Sequence, residues 1–489
     1  MTLGLHAQGV DDAILNATTY YEGTGRSLAM GNATGAMGGD ITATCINPAG
    51  LGLYRTGEMT FTTGLQHNLM RSSYYDNIQY AGKTNVSIPN FGYVLALECS
   101  NYKPLRFLQM AIGLTRTNDF GYRSNVQGMN PNSSFIDAYL QTLDGIDELY
   151  EPYSNVETYL SENYPYTLHP AWRAFLIDRF HDSLGYYFDS PIPPGNVNQY
   201  DKLTSKGRSE EWTFAISANI KEKLYIGTSM GLTHIKRIST RTYSETPQDP
   251  NDSHNSFKSW SFEEELKDNA WGINFKAGVI YSPIHWLRLG ASWHTRTIYN
   301  FEENWNTTTT SQLLDSNLED YYKYYSPTLY NDYVFRTPNS FIGSAAFLFG
   351  QRGMVTADLE YMNYGMSRFS SSVQSFSDAN NDIKAILKPT CNLRIGTEWR
   401  YYQYFIRGGM AYYGSPYGLG DRYRSVKKLA LGIGYATTSD VFWDFAYELT
   451  ESTSGFTPYQ CFVDGENIVS EAVQRQWRNK LVATMKIRL

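Results

Sequence analysis

From residue 56 onward apolar and polar positions alternate with a period of two, the mark of strands that carry one apolar and one polar face. In "DVFWDFAYEL", Val441, Trp443, Phe445, Tyr447 and Leu449 share one face, and Asp444, Ala446 and Glu448 share the other. "TCNLRIGTEWRYY" sets Leu393, Ile395, Thr397, Trp399 and Tyr401 against Arg394, Gly396, Glu398 and Arg400. The final "KLVATMKIRL" opposes Leu481, Ala483, Met485, Ile487 and Leu489 to Lys480, Thr484, Lys486 and Arg488. "WGINFKAGVIYS" and "MVTADLEYMNY" repeat the design, with Lys276, Asp358 and Glu360 on the polar side.

The links between these segments carry the topology. Short ones fall at 100–104, 221–223, 282–285, 350–353, around Gln403 and at 437–440. Long ones fall at 72–84, 124–208, 245–255, 304–326, 370–388, 414–424 and 452–474. Strict alternation of short and long links predicts about 14 strands with both chain ends on the short-turn side, as in single-chain outer-membrane barrels. The fold class is thus all-β: a transmembrane antiparallel β-barrel whose apolar faces meet lipid and whose polar faces line a lumen. A soluble sandwich or propeller would need a second sheet or a blade repeat, and the sequence shows no such period.

One long link differs in character. Residues 129–206 include "SSFIDAYLQTLDGIDELYEPY" and "HPAWRAFLIDRFHDSLGYYF", with Trp172, Phe175, Leu176, Arg179 and Phe180 at helical spacing. They predict a helical extracellular insertion of two or more short helices, which either caps the barrel mouth or offers a docking surface to a protein partner. The front of the chain differs again. "GNATGAMGGDITATCINPAGLGL", from Gly31 to Leu53, is crowded with glycine and alanine. About 14 strands enclose a lumen too wide for wall side chains to fill, so residues 1–55 are expected to tuck inside as a hatch, leaving 56–489 as the barrel. Glycines there permit close backbone packing and positive φ, while Pro48 biases Asn47 toward an extended conformation. "MTLGLHAQGV" resembles the tail of a secretory signal without its basic start.

Composition agrees with this picture. The 489 residues include 40 Gly, 40 Tyr, 24 Phe and 10 Trp with only 18% charged, and the longest apolar runs, such as "FGYVLAL" and "LALGIGYA", fall far short of the ~20 residues of a membrane helix. A net charge of −7 argues against a nucleic-acid partner. Cys45, Cys99, Cys391 and Cys461 lack metal-type spacing, and their distribution leaves a disulfide open.

At this point the residues carry a resemblance. "GRSLAMGNATGAMGGDITATCINPAGL", with its Asn47-Pro48-Ala49, followed by a barrel of this strand count, resembles the FadL/TodX family of outer-membrane transporters. "TPNSFIGSAAFLFGQRGMVTADLEYMNY" is similar to that family's central hairpin. "KLALGIGYATTSDVFWDFAYEL" is similar to its penultimate hairpin in the form found in Bacteroidota. The resemblance implies an outer-membrane location with both termini periplasmic, a surrounding lipid partner and a hydrophobic ligand. It also implies a hatch that shifts so that the ligand leaves sideways through the wall. Asn47, Pro48 and Ala49 map onto the hatch motif; no ligand-pocket residue is carried over, and Leu489 departs from the terminal aromatic common in such barrels.

Other chemistry finds little support. "GTGRSLAMG" lacks the third glycine of a dinucleotide loop, where Leu28 stands. No phosphate loop, zinc motif or nucleophile elbow occurs, and isolated histidines such as His285 and His294 do not make a haem or metal site. Neither an enzyme nor a cofactor is expected. Arg394, Arg400, Arg407, Asp444 and Glu448, on polar faces, either pair across the lumen, hold the hatch or are simply solvated. Two functional readings stand: a transporter of hydrophobic or amphipathic small molecules, and a non-transporting structural subunit of an outer-membrane assembly or secretion complex.

Overall fold

The computed structural model describes residues 8–99, 104–151, 154–249, 252, 255–315, 318–418, 424–438 and 440–489. Among these residues, fourteen antiparallel wall strands close into a barrel. The first, Glu58–Tyr74, pairs with the second, Asn77–Glu98, and on its other side with the last, Ala472–Arg488, which seals the cylinder. Three strands kink and continue: Leu105–Asp119 into Tyr122–Asn130, which keeps its ladder to Val197–Ile220 alone, Leu287–His294 into Ile298–Asp315, and Leu329–Arg336 into Ser340–Leu348.

Burial is inverted relative to a water-soluble protein. On the Val441–Phe456 strand Phe445 is 50% exposed and Glu448 is 1% exposed. Leu431, Leu481, Ile273 and Phe275 likewise face outward, while Arg394, Lys276 and Asp358 face the lumen. A continuous outward band of this kind has its natural solvent in lipid, not water. No helix of the described residues is long and apolar enough to cross a membrane, and the strands do the crossing.

The strands outrun their apolar pattern. Residues 72–84, expected as a long link, form a two-residue turn at Tyr75 and Asp76, with Tyr75 at φ +46°. Residues 304–315 and 318–325 are also ladder, with Ile298–Asp315 folding back on Leu318–Tyr325. Outside lipid both faces of a strand are polar, so the ladder continues without the hydrophobic period that would announce it.

The insertion is corrected in the same way. The third strand runs to Asn130 and the fourth, Val197–Ile220, begins nine residues before position 206, so the stretch outside the wall strands is shorter than 129–206. It contains α-helices Phe135–Asp144, Val156–Asn163 and Leu168–Arg173, but not the longer helix expected through Phe180. Phe175 takes φ +53° and ends that run, and Asp178–Asp182 pairs with Gly185–Asp189 as a hairpin. The insertion caps the long-loop mouth of the barrel: Phe135, Tyr139, Leu160 and Leu176 share one core with the strand residues Tyr243, Trp260 and Phe262.

A single acid fastens this cap. Glu245, fully buried at the end of strand Leu224–Pro247, accepts from Ser134 Oγ (2.5 Å), Phe135 N (2.9 Å), Gln199 Nε2 (2.9 Å), Tyr243 Oη (2.6 Å) and Trp260 Nε1 (2.9 Å). Two of these donors belong to the N-terminus of helix Phe135–Asp144, whose unpaired amides and dipole favour an anion.

Candidate functional site in the lumen

The N-terminal segment fills the lumen. It folds as α1 (Val10–Ala17), α2 (Gly25–Ala29), α3 (Ala43–Ile46) and a 3-10 turn, Pro48–Leu53. Its described part from Gly25 to Gly52 is almost wholly buried. Thr24 caps α2 by accepting from Ser27 N, and Gly38 and Gly39, both at φ +61°, turn the chain back on itself.

Asn47, Pro48 and Ala49 form the tightest part of this packing. Asn47 Oδ1 accepts from Ala49 N (3.1 Å), while Nδ2 donates to Gly35 O (2.7 Å) and to Val279 O on the wall (3.3 Å). One side chain thus joins two turns of the segment to the barrel. Pro48 occupies the first position of the 3-10 turn, where its missing N–H costs nothing, and Ala49 packs on Tyr225 and Ile280. Room for the motif comes from the wall: a Cβ at Gly278 would overlap the Asn47 amide, and one at Gly227 would overlap the Pro48 carbonyl. A Cβ at Gly290 would sit 2.7 Å from Gly35 O.

Ion pairs anchor the segment. Arg26 forms a two-pronged bond with Glu398 (2.8 and 3.0 Å), which also takes Arg407 Nε (2.5 Å). Arg407 reaches Asp444 (2.6 Å), Asp444 reaches Lys486 (3.3 Å), and Lys486 returns to Asp40 (2.8 Å). The network leaves the segment at Arg26, passes through residues of four wall strands and re-enters it at Asp40. Burial works to raise the Asp40 carboxyl, but the Lys486 ammonium and Arg26 guanidinium outweigh it and hold it at about 2. Further pairs join Glu22 to Lys480 (2.5 Å) and Asp12 to Arg237 (3.2 Å), and Gly35 N donates to Asp358 (3.0 Å).

Of the charged residues singled out in the sequence, Arg407 and Asp444 belong to this network. Arg394 pairs with Glu360 (3.1 Å), Glu448 pairs with Lys428 (3.2 Å), and Arg400 lies exposed by the turn at Tyr402. His294 faces the plug and contacts Ile46 O (2.8 Å), whereas His285 sits in an exposed turn. Cys45 and Cys461 are buried, Cys99 and Cys391 are exposed, and all four thiols are free. Burial pushes the Cys45 thiol up to about 11. Among the described residues, no group of three or more His, Cys, Asp or Glu side chains is placed to hold a metal ion.

Sequence reasoning missed an aromatic chamber above the plug. Phe301 and Tyr333 stack with centroids 5.0 Å apart and planes 4° apart, and Phe335, Phe369 and Tyr364 extend the lining. Ala13, Ile14 and Ala17 of α1 fill the space between them. Below lies a polar cavity of about 60 Å³ bordered by Asn16, Tyr21, Glu211, Lys276, His294 and Glu360.

The wall beside the plug is incomplete. The second strand pairs with the third only over residues 90–98, and among the described residues 77–89 have no ladder on that side. The third strand bends away at 120–121, and side chains bridge the seam: Asn85 Nδ2 donates to Gly121 O (2.9 Å) and Lys83 Nζ to Ser205 O (2.6 Å). The plug takes the vacated edge, with Tyr20 N donating to Thr117 O (2.8 Å) and Glu22 N to Arg116 O (2.9 Å).

Together, the closed fourteen-strand wall, the lumen-filling N-terminus and the apolar outer band define a plugged outer-membrane-type channel barrel. The fold is that of the FadL/TodX proteins. The chain is similar to a solved Pseudomonas aeruginosa FadL homologue, with TM-score 0.55, 13% identity, and coverage of 96% of this chain and 98% of that one. It is also similar to the Pseudomonas putida toluene transporter TodX, with TM-score 0.51, 14% identity, and coverage of 96% and 99%. No family model and no curated protein matches the sequence.

Proposed function

We propose that this protein lies in a bacterial outer membrane, termini periplasmic, and passes hydrophobic or amphipathic small molecules inward by hatch movement and lateral exit. In this reading residues 1–55 are the hatch, with Asn47-Pro48-Ala49 as its motif, 56–489 are the barrel, and 129–206 is the extracellular insertion. The observation that carries it is the position of α1, whose apolar side occupies an aromatic chamber beside a break in the wall. An apolar solute that replaced α1 would gain by burial at roughly 25 cal/mol per Å². Displacing α1 would pull on Tyr20 and Glu22, which hold the edge of the break. The chemistry invoked needs no cofactor and no catalytic residue.

The test is uptake of radiolabelled apolar solutes by cells carrying the protein, compared with cells carrying Phe301→Lys. The charge should cut uptake at least tenfold while the barrel still folds. Uptake no faster than in cells without the protein would sink the transport reading.

One observation favours the second reading, a structural subunit of an outer-membrane assembly. The hairpin in the insertion projects Phe180, Leu184 and Tyr187 outward, with Leu184 95% exposed. Mild extraction that yields a stoichiometric complex, lost on deletion of 129–206, would replace transport with that role.

A further inference from the structure

A rung-by-rung reading of the outer wall reveals a sharp boundary on the third, fourth and fifth strands. On the fourth strand the outward positions run Lys202, Thr204, Lys206, Arg208, Glu210, then Trp212, Phe214 and Ile216. On the fifth, Lys236 is followed toward the short-turn side by His234, which stacks on Trp271 with centroids 4.2 Å apart, and then by Leu232 and Met230. Cations therefore end where tryptophans begin, and the aliphatic band follows. That order matches headgroup, interface and hydrocarbon.

The cations cluster across strands as well as along one. Arg123 lies opposite Thr204 and Arg208 lies opposite Lys236. Steps of about 4.8 Å between strands and about 6.7 Å between alternate residues set Lys202, Arg123, Lys206 and Lys236 on four successive rows spanning about 20 Å, a run that a headgroup carrying two phosphates covers.

Neutralisation is absent from the protein itself. Glu210, the acid nearest on the rung, is already held by Arg208 (2.7 Å) and Arg116 (3.6 Å). Among the described residues, Arg123, Lys202, Lys206 and Lys236 enter no ion pair, and all four are exposed. Arg208, opposite Lys236 in the ladder, is engaged by Glu210, so Lys236 has no acid of its own. The chain as a whole carries −7, so the patch does not reflect general basicity.

We propose that Arg123, Lys202, Lys206 and Lys236 form a binding site for the phosphate-bearing headgroup of a lipid in the outer leaflet. A lipid fits where free phosphate does not, because the site stands on the lipid-facing surface directly above the apolar band. The inference rests on the outer-membrane reading but not on transport. The bound headgroup would lie beside the seam at 77–89 and hold its outer rim.

The experiment uses the full chain in detergent, incubated with equimolar bisphosphorylated lipid A and its dephosphorylated counterpart, and counts retained lipid by native mass spectrometry. Wild type should retain the phosphorylated form about tenfold over the other. The combined Arg123→Gln, Lys202→Gln, Lys206→Gln, Lys236→Gln variant should show parity, with unchanged boiled-versus-unboiled gel mobility and unchanged apolar uptake. If that variant does not fold, Lys206→Glu and Lys236→Glu singly should each reduce the preference severalfold. Equal retention by wild type, a preference that survives these changes, or displacement by millimolar inorganic phosphate overturns the proposal. Loss of apolar uptake in Phe301→Lys bears on transport alone, so the two readings fail separately.

Discussion

At the scale of single residues, the plug is held by atoms with several partners each. Asn47 links Gly35, Ala49 and Val279, so Asn47→Ala removes three hydrogen bonds and leaves buried groups unpaired. A loss of about 2–3 kcal/mol is expected from the unmet partners. Amide exchange in the plug should rise correspondingly while the wall strands stay protected. Asp40 sets a pH dependence. Its folded carboxyl sits at about 2, below the ordinary 3.8. A depressed carboxylate stabilises fully above its unfolded pKa and loses that contribution as pH falls through its folded one. Plug exchange, corrected for intrinsic rates, should therefore rise about tenfold more between pH 4 and pH 2 in wild type than in Asp40→Asn, where the Arg26-paired Glu398 still titrates.

At the scale of elements, the insertion and the plug are fastened differently. The plug has many pairs spread over the wall, whereas the cap gathers five donors on Glu245. No cation pairs with that carboxylate among the described residues. Glu245→Gln would turn one acceptor oxygen into an NH2 that faces donors, at a cost of about 2–4 kcal/mol. Proteolysis within 133–195 should then accelerate at least tenfold, with the barrel's heat-resistant gel mobility retained. Equal destabilisation of cap and wall would show that the two do not open independently.

At the scale of the molecule, lumen charge and outer apolarity are two sides of one design. Many lumen-facing charges face a charge on the plug or on another strand, as in the run from Arg26 through Glu398, Arg407, Asp444 and Lys486 to Asp40. Breaking a buried pair from one side strands its partner and costs several kcal/mol. Arg26→Met should therefore free the plug more than the loss of one surface ion pair would, because the buried Glu398 loses both bonds to the plug and keeps only Arg407 on the wall. Conductance recordings in planar bilayers test this directly: frequent openings are expected in Arg26→Met and rare ones in wild type.

The alternation in segments such as "DVFWDFAYEL" determined the barrel by itself, because lipid on one side and a wet lumen on the other impose a period of two on every spanning strand. The same logic placed Arg407 and Asp444 inside, and the glycine-rich front marked the plug. The pattern faded where solvent touched both faces, so the turn at Tyr75 and the hairpin ending at Tyr325 were not legible. Phe175 and Phe180 misled because both stay exposed, Phe175 where the chain breaks at φ +53° and Phe180 on the hairpin, so their helical spacing recorded no buried face. Wall glycines at 227, 278 and 290 carried a signal, since glycine on a lumen-facing strand position marks close approach, but not the identity of what approaches. Only the tertiary structure brought Asn47 to those glycines, α1 to Phe301 and Tyr333, and Glu245 to helix Phe135–Asp144. Those contacts join residues hundreds of positions apart, and a local period records which face a residue takes, not which distant residue it meets there.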